Sequence, residues 1–228
     1  MCGCRLAARL SMNAKIMTAI IVMVIAALVA ALALASFAST RGNSGGAAAP
    51  SLKGINVSYV DSVTGWNYTV LSSSNTSDFG PQLKAEGYMD MYETEFIAGY
   101  FNYSGTYPDT ITLVVYRMRN SSSAAAAETN LLSSVNINSN LVSYNYTFFE
   151  GNKPKTVKIY EIYAVEAENI TNVTHSDIPV YQESAVFFEG NTIGSVTSNG
   201  GRSVDSNVSA VIAEKLAVIL AAGASSQN

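Results

Sequence analysis

The sequence predicts an α+β domain, an antiparallel sheet with two helices packed on one face, preceded by an N-terminal transmembrane or signal helix. Three observations carry this. From residue 54 onward, short runs of Val, Ile, Tyr, Phe and Thr alternate with turn residues, which is the pattern of strands. Ser121–Val135 and Asp205–Ala222 instead repeat their apolar residues at helical intervals. Ile16–Ala38, IMTAIIVMVIAALVAALALASFA, is a 23-residue run without charge, long enough to cross a bilayer as a helix.

The chain starts with its targeting segment, residues 1–38. Arg5, Arg9 and Lys15 precede the apolar run with no acid among them, and only Arg41 follows nearby. The positive-inside rule then leaves the N-terminus in the cytoplasm and the rest outside. A cleaved signal peptide has two small-x-small sites to use, Ala33-Leu34-Ala35 and Ser36-Phe37-Ala38. The run exceeds the usual 7–15-residue core of a signal peptide, which favours an uncut anchor. Cys2 and Cys4, the two cysteines of the chain, lie ahead of the run. They do not match a bacterial lipoprotein cysteine, which follows its apolar run, and initiation at Met12 would remove both.

Residues 39–53, STRGNSGGAAAPSLK, are small and unpatterned, and read as a flexible linker. The domain proper is 54–228. Ile55–Val60 and Trp66–Ser72 flank Asp61–Gly65 and are expected to pair as a hairpin. Tyr88–Phe101 is a long strand-like run with a break expected at Gly99. Thr110–Met118, TITLVVYRM, is a strand, followed by Leu141–Glu150, Thr156–Val165, Val180–Glu189 and Thr192–Thr197. Ser121–Val135 has serines for an N-cap and alanines for propensity, with Ala124, Ala127, Leu131, Leu132 and Val135 on one side. In Asp205–Ala222, Asp205 can cap, and Val208, Val211, Ile212, Leu216, Ile219 and Leu220 form one stripe. Gly223 is expected to end this helix. Glu214 and Lys215 interrupt its apolar run, against a second span.

FFEGN occurs twice, at Phe148–Asn152 and Phe187–Asn191. Two copies fall short of an array. Gly-Asn between strands predicts a type II′ hairpin turn in the second copy. Pro154 follows the first, for which a longer loop is expected. One phenylalanine of each pair should face the helices. The stretch AVFFEGNTIGSV followed by VSAVIAEKLAVIL resembles the closing hairpin and helix of small extracytoplasmic α+β domains. That resemblance implies an architecture and no activity.

Composition narrows the function. Of 13 basic residues, 10 lie beyond residue 38, against all 17 acidic ones, a net charge of −7 for the exported part. Lys153, Lys155 and Lys158 are the nearest approach to a basic cluster, so no nucleic-acid surface is expected. Asn-x-Ser/Thr occurs nine times, at Asn56, Asn67, Asn75, Asn102, Asn120, Asn145, Asn169, Asn172 and Asn207. Chance in a chain of this composition gives roughly four, and all nine follow the apolar run, so N-glycosylation is expected. No cysteine follows residue 4. Heavy sequon use without disulfides resembles archaeal cell-surface glycoproteins, which implies a place at the cell surface.

Candidate chemistry is sparse. His175 is the one histidine, too few for a histidine metal cluster. No phosphate-binding glycine loop and no EF-hand loop is present, so no cofactor or metal is implied. Asp90, Glu93 and Glu95, and Glu166 with Glu168, are the acid clusters. Residues two apart on a strand share a face, so Glu93 and Glu95 are a candidate carboxylate pair. Three functions remain. The first is a membrane-tethered glycosylated domain binding a small ligand or an envelope protein. The second is a pilin-like filament or surface-layer subunit, although pilin processing places a small residue after a basic one and Ala14-Lys15 runs in reverse. The third is a two-carboxylate hydrolase.

Overall fold

The computed structural model describes residues 54–99, 107–135, 141–168, 178–200 and 207–225. The apolar run Ile16–Ala38, the linker, Asp205, His175 and the sequons at Asn102, Asn169 and Asn172 lie outside these residues. Seven strands form one sheet: β1 (Tyr68–Thr76), β2 (Tyr88–Ala98), β3 (Thr110–Met118), β4 (Leu141–Glu150), β5 (Lys153–Glu168), β6 (Ile178–Glu189) and β7 (Thr192–Gly200). Four helices accompany them among the described residues: α1 (Val57–Thr64), α2 (Pro81–Glu86), α3 (Ser121–Val135) and α4 (Val208–Ser225). The strand order is β1-β2-β3-β7-β6-β5-β4, and every neighbouring pair is antiparallel. The α+β class therefore holds, with three strands ahead of α3 and four after it.

The expected hairpin at Ile55–Ser72 does not form, because Val57–Thr64 is a helix. The alternation in Ile55–Val60 mimics a strand, but the ends decide otherwise. Asn56 Oδ1 accepts from the Tyr59 amide at 3.0 Å, an N-cap that satisfies one of the first-turn donors. Gly65, at φ 70°, closes the helix with its N–H bonded to Asp61 O, the left-handed stop that favours glycine. Asp61 then accepts from the Tyr68 amide at 2.8 Å, which ties the helix to the start of β1.

The two long helices lie on opposite faces of the sheet, not on one. Strand side chains alternate, and the central strands are apolar on both sides. Ile111, Leu113 and Val115 of β3, Ala185 and Phe187 of β6 and Val196 of β7 pack with Val208, Ile212, Ala213, Leu216 and Ala217 of α4. On the other side, Met118, Val186 and Ile193 are buried with Ala124 of α3, and Tyr88, Tyr116, Ala127, Leu131, Ile162 and Phe188 pack around them. The reason is chain geometry: β3 ends on one side of the sheet with Met118 and Arg119, and α3 crosses there. The α4 stripe also differs from expectation. Val211 is 41% exposed while Ala210, Ala213, Ala217 and Ala221 are buried, so small residues bring this helix close to the sheet. It continues past Gly223 to Ser225. Gly194 has the same purpose at one point of the sheet. A Cβ there would lie 2.2 Å from the Phe187 ring, so only glycine leaves room for that side chain.

Both FFEGN copies are two-residue hairpins. Glu150 faces Lys153 and Glu189 faces Thr192. Gly151 and Gly190 have φ of 60° and 59°; neither asparagine has positive φ, as type II′ turns require. The longer loop expected from Pro154 is absent. Pro154 faces Phe149, whereas the β5–β6 ladder begins only at Ile159. The missing N–H therefore falls beyond the end of β6, where no acceptor awaits it. The phenylalanines alternate: Phe148 and Phe187 join the α4 core, Phe188 packs toward α3, and Phe149 is 71% exposed.

Candidate functional site

The sequence-predicted acids separate. Glu93 and Glu95 lie on β2 opposite Val114 and Thr112, on the α3 face, and both are half-buried. Asp90 faces Arg117 on the α4 face and forms an ion pair with it. Burial, and then the like charge of Glu95, raise the Glu93 carboxyl above its ordinary value. Glu166 and Glu168 lie at the C-terminal end of β5. Of the lysine group, Lys153 and Lys158 are exposed, but Lys155 is gripped by both repeat glutamates. Its Nζ lies 2.9 Å from Glu189 Oε1 and 3.5 Å from Glu150 Oε2. The duplicated FFEGN thus places two carboxylates around one cation, and the bond to Glu189 is the main cause raising the Lys155 pKa.

Glu93 and Glu95 border a polar half of the α3 face. Helix α3 covers the end marked by Met118, Ile193 and Phe188. Toward the other end, Glu95, Thr112, Thr197 and Ser184 stand in register across β2, β3, β7 and β6. Ile97, Thr110, Asn199 and Gln182 form the next row. Ser184 and Thr197 share a hydrogen bond at 3.0 Å, and Asn199 donates to Thr110 at 3.3 Å. The side chains of these rows are half-buried. They offer hydroxyls, amides and a carboxylate on a backbone fixed by ladders on both sides, an arrangement suited to holding a polar ligand in one orientation.

A second cluster lies on the α4 face, and nothing in the acid spacing announced it. Glu183 of β6 is fully buried, next to the first turn of α4. Ser198 of β7 donates to its Oε2 at 3.5 Å. Ser209 Oγ is 2.9 Å from Ser198 Oγ and 3.0 Å from the Glu183 carbonyl oxygen. Oε1 has no hydrogen-bond partner among the described residues. Burial, then repulsion from Glu161, push the carboxyl up to about 7, while the amides of Ser209 and Ala210 and the Ser198 hydroxyl pull it down. Glu161 accepts from Tyr163 at 2.5 Å, and Tyr144 donates to Glu214 of α4 at 3.0 Å. Glu161 and Glu183 are diagonal neighbours, roughly 7–8 Å apart in sheet geometry. A carboxyl raised by burial beside a second carboxylate is an arrangement that acid–base sites use. Complete burial of Glu183, however, leaves it no path to a substrate, and its visible work is to hold the helix start against the sheet.

The sequon asparagines that can be placed are Asn56, Asn67, Asn75, Asn120, Asn145 and Asn207, and each is exposed. Asn56 and Asn120 cap α1 and α3, with Oδ1 accepting from Tyr59 and Ser123 amides at 3.0 and 2.8 Å. Capping uses the oxygen and leaves the amide nitrogen outward. Asn207 stands just before α4 at φ 50°, Asn67 precedes β1, and Asn75 and Asn145 sit on β1 and β4. Among the described residues no group of three His, Cys, Asp or Glu residues is placed to hold a metal ion. No helix among them is long and apolar enough to cross a membrane.

No protein-family model matches the sequence, and no curated protein matches it. Among solved structures, the extracellular domain of PknH from Mycobacterium tuberculosis is similar over 72% of this chain and 91% of that chain, at 14% identity and a TM-score of 0.43. A likeness of that size says nothing about what this chain does.

Proposed function

We propose that the chain is a membrane-tethered, N-glycosylated extracytoplasmic surface domain. Ile16–Ala38 tethers it, and the polar half of the α3 face binds a small polar ligand or a neighbouring envelope protein. The observation that carries this reading is one-sidedness: Arg5, Arg9 and Lys15 precede the apolar run and all nine sequons follow it. The exposure of the six placed sequon asparagines supports it, because a glycan is added only to an accessible amide. The registered rows through Glu95, Thr112, Thr197 and Ser184 support the binding role, since polar groups on rigid strands keep their orientation before a ligand arrives.

Protease treatment of intact cells, followed by peptide mass spectrometry, tests the placement. The expected result is loss of peptides from 54–228, glycan mass on sequon peptides, and survival of peptides ahead of Ile16. Full protection of 54–228 in intact cells, with digestion after lysis, overturns the reading.

A further inference from the structure

The sheet has two open edges. Among the described residues no strand pairs with the outer side of β1 or of β4. Open edges template the addition of another strand, and proteins blunt them with lysine, inward charge, proline or a covering segment. Neither edge strand has a lysine or a proline. β1, YTVLSSSNT, has neither charge nor proline, and β4, LVSYNYTFFE, has a single charge at its last residue. The edges are also apolar. Of the six exposed large apolar side chains among the described residues, four lie on these strands: Val70, Leu71, Val142 and Phe149. A register shift interrupts β1 between Val70 and Ser72, but β4 pairs without a break from Leu141 to Glu150. Its aromatic composition, uncharged up to Glu150, is that of strands that stack on copies of themselves.

Each open strand carries one exposed sequon asparagine, Asn75 on β1 and Asn145 on β4. We infer that glycans on Asn75 and Asn145 are the edge protection of this sheet, and that the bare edges pair with a second copy of the chain. The inference rests on the glycosylation proposed above and gives two of the nine sites a task. Paired strands lie about 4.8 Å apart, and a branched glycan rooted on the edge strand fills far more than that gap.

The test compares the full-length glycosylated chain with Asn75→Gln/Asn145→Gln, and with Ser77→Ala/Thr147→Ala, which destroys the same two sequons while keeping both asparagines. Mass spectrometry reads occupancy, light scattering reads association, and circular dichroism reads folding. The expected result is occupancy at both sites, a monomeric parent, and at least a twofold rise in mass for both folded variants. Adding Leu71→Lys and Val142→Lys to the unglycosylated chain restores the monomer. Folded variants that stay monomeric despite an occupied parent overturn the inference and leave the glycosylation reading standing. Association that the lysines do not reverse overturns it too, because the contact then lies elsewhere. Bare Asn75 and Asn145 beside occupied sites elsewhere overturn the inference alone, and a chain bare at all nine overturns both readings.

Discussion

The two faces of the sheet are built differently. The α4 face is a continuous core running from Tyr68 and Phe96 across Ile111, Leu113 and Val196 to Phe187 and Ile159, closed by a helix whose alanines let it sit low. The α3 face has a small apolar patch at one end and polar rows over the rest. Burial scales with apolar area removed from water, so the α4 face carries most of the stability. The α3 face keeps polar surface for contact with other molecules. A sheet that devoted both faces to helices would have no such surface left.

The largest effect that can break this comparison is at adjacent residues of one strand. Phe187→Ala, on the α4 face, is expected to cost about 3–5 kcal/mol, read as a shift in the urea midpoint at unchanged slope. Phe188→Ala, half-buried on the α3 face, should cost about half as much. Equal losses would show that the faces contribute equally.

The next effect is pH dependence, and its larger part is on the α4 face: Glu183 there and Glu93 on the α3 face are both raised, Glu183 the more strongly. Glu183 has an ordinary value of 4.5 and is pushed up to about 7 in the fold. Glu161 and Tyr163 of β5, Ser198 of β7 and Ser209 of α4 surround it. The native state holds this proton more tightly than the unfolded chain. The resulting stabilisation is fully present below about pH 4.5 and is lost as pH rises through 7. The shift corresponds to about 3 kcal/mol. Urea unfolding at pH 5 and pH 8 should show Glu183→Gln losing that slope, whereas Glu93→Gln on the α3 face changes it far less. A wild-type slope that survives in Glu183→Gln assigns the titration to another group.

Helix caps sharpen the comparison at smaller scale, because each face has one. Asn56→Ala and Asn120→Ala should each cost about 1 kcal/mol, whichever face the helix covers. Asn56→Asp keeps the cap and removes the sequon, so melting of Asn56→Asp against Asn56→Ala separates the hydrogen bond from the glycan. The smallest effect is Phe149→Ala. Its side chain is 71% exposed on the α3 side of β4, and its loss should stay within about 0.5 kcal/mol by thermal melting.

These contrasts show which features the sequence displays. TITLVVYRM reads as a strand because β-branched residues fill it, and its bounds match β3. Its consecutive Leu113, Val114 and Val115, like the Ala185–Phe188 run, also signal strands buried on both sides. Placing both helices on one face passed over that signal. Helix α1 was masked by chance alternation, although Asn56 and Gly65 marked its ends. Pro154 misled because its effect depends on where β6 stops, which only the register decides. Glu183 left no trace at all. Its burial arises from β5, β7 and α4 meeting around it, and those contacts join residues far apart in the chain. The FFEGN duplication was visible from the start, but its shared partner Lys155 came into view only with the strand between the two copies.

The strand order carries a consequence for how the chain assembles. β1–β3 and β4–β7 are two meanders built from neighbouring hairpins, and one long-range seam joins them. That seam pairs Thr110 with Asn199, and α4, which seals the larger core, comes last in the sequence. Local pairings close quickly, whereas distant ones wait on chain search. Each meander can therefore form as it emerges from a ribosome or a translocation pore, but the domain cannot lock until its final helix is free. Pulse-labelled hydrogen exchange during refolding should show hairpin amides protected before those of the β3–β7 seam. Simultaneous protection would mean that the halves condense as one.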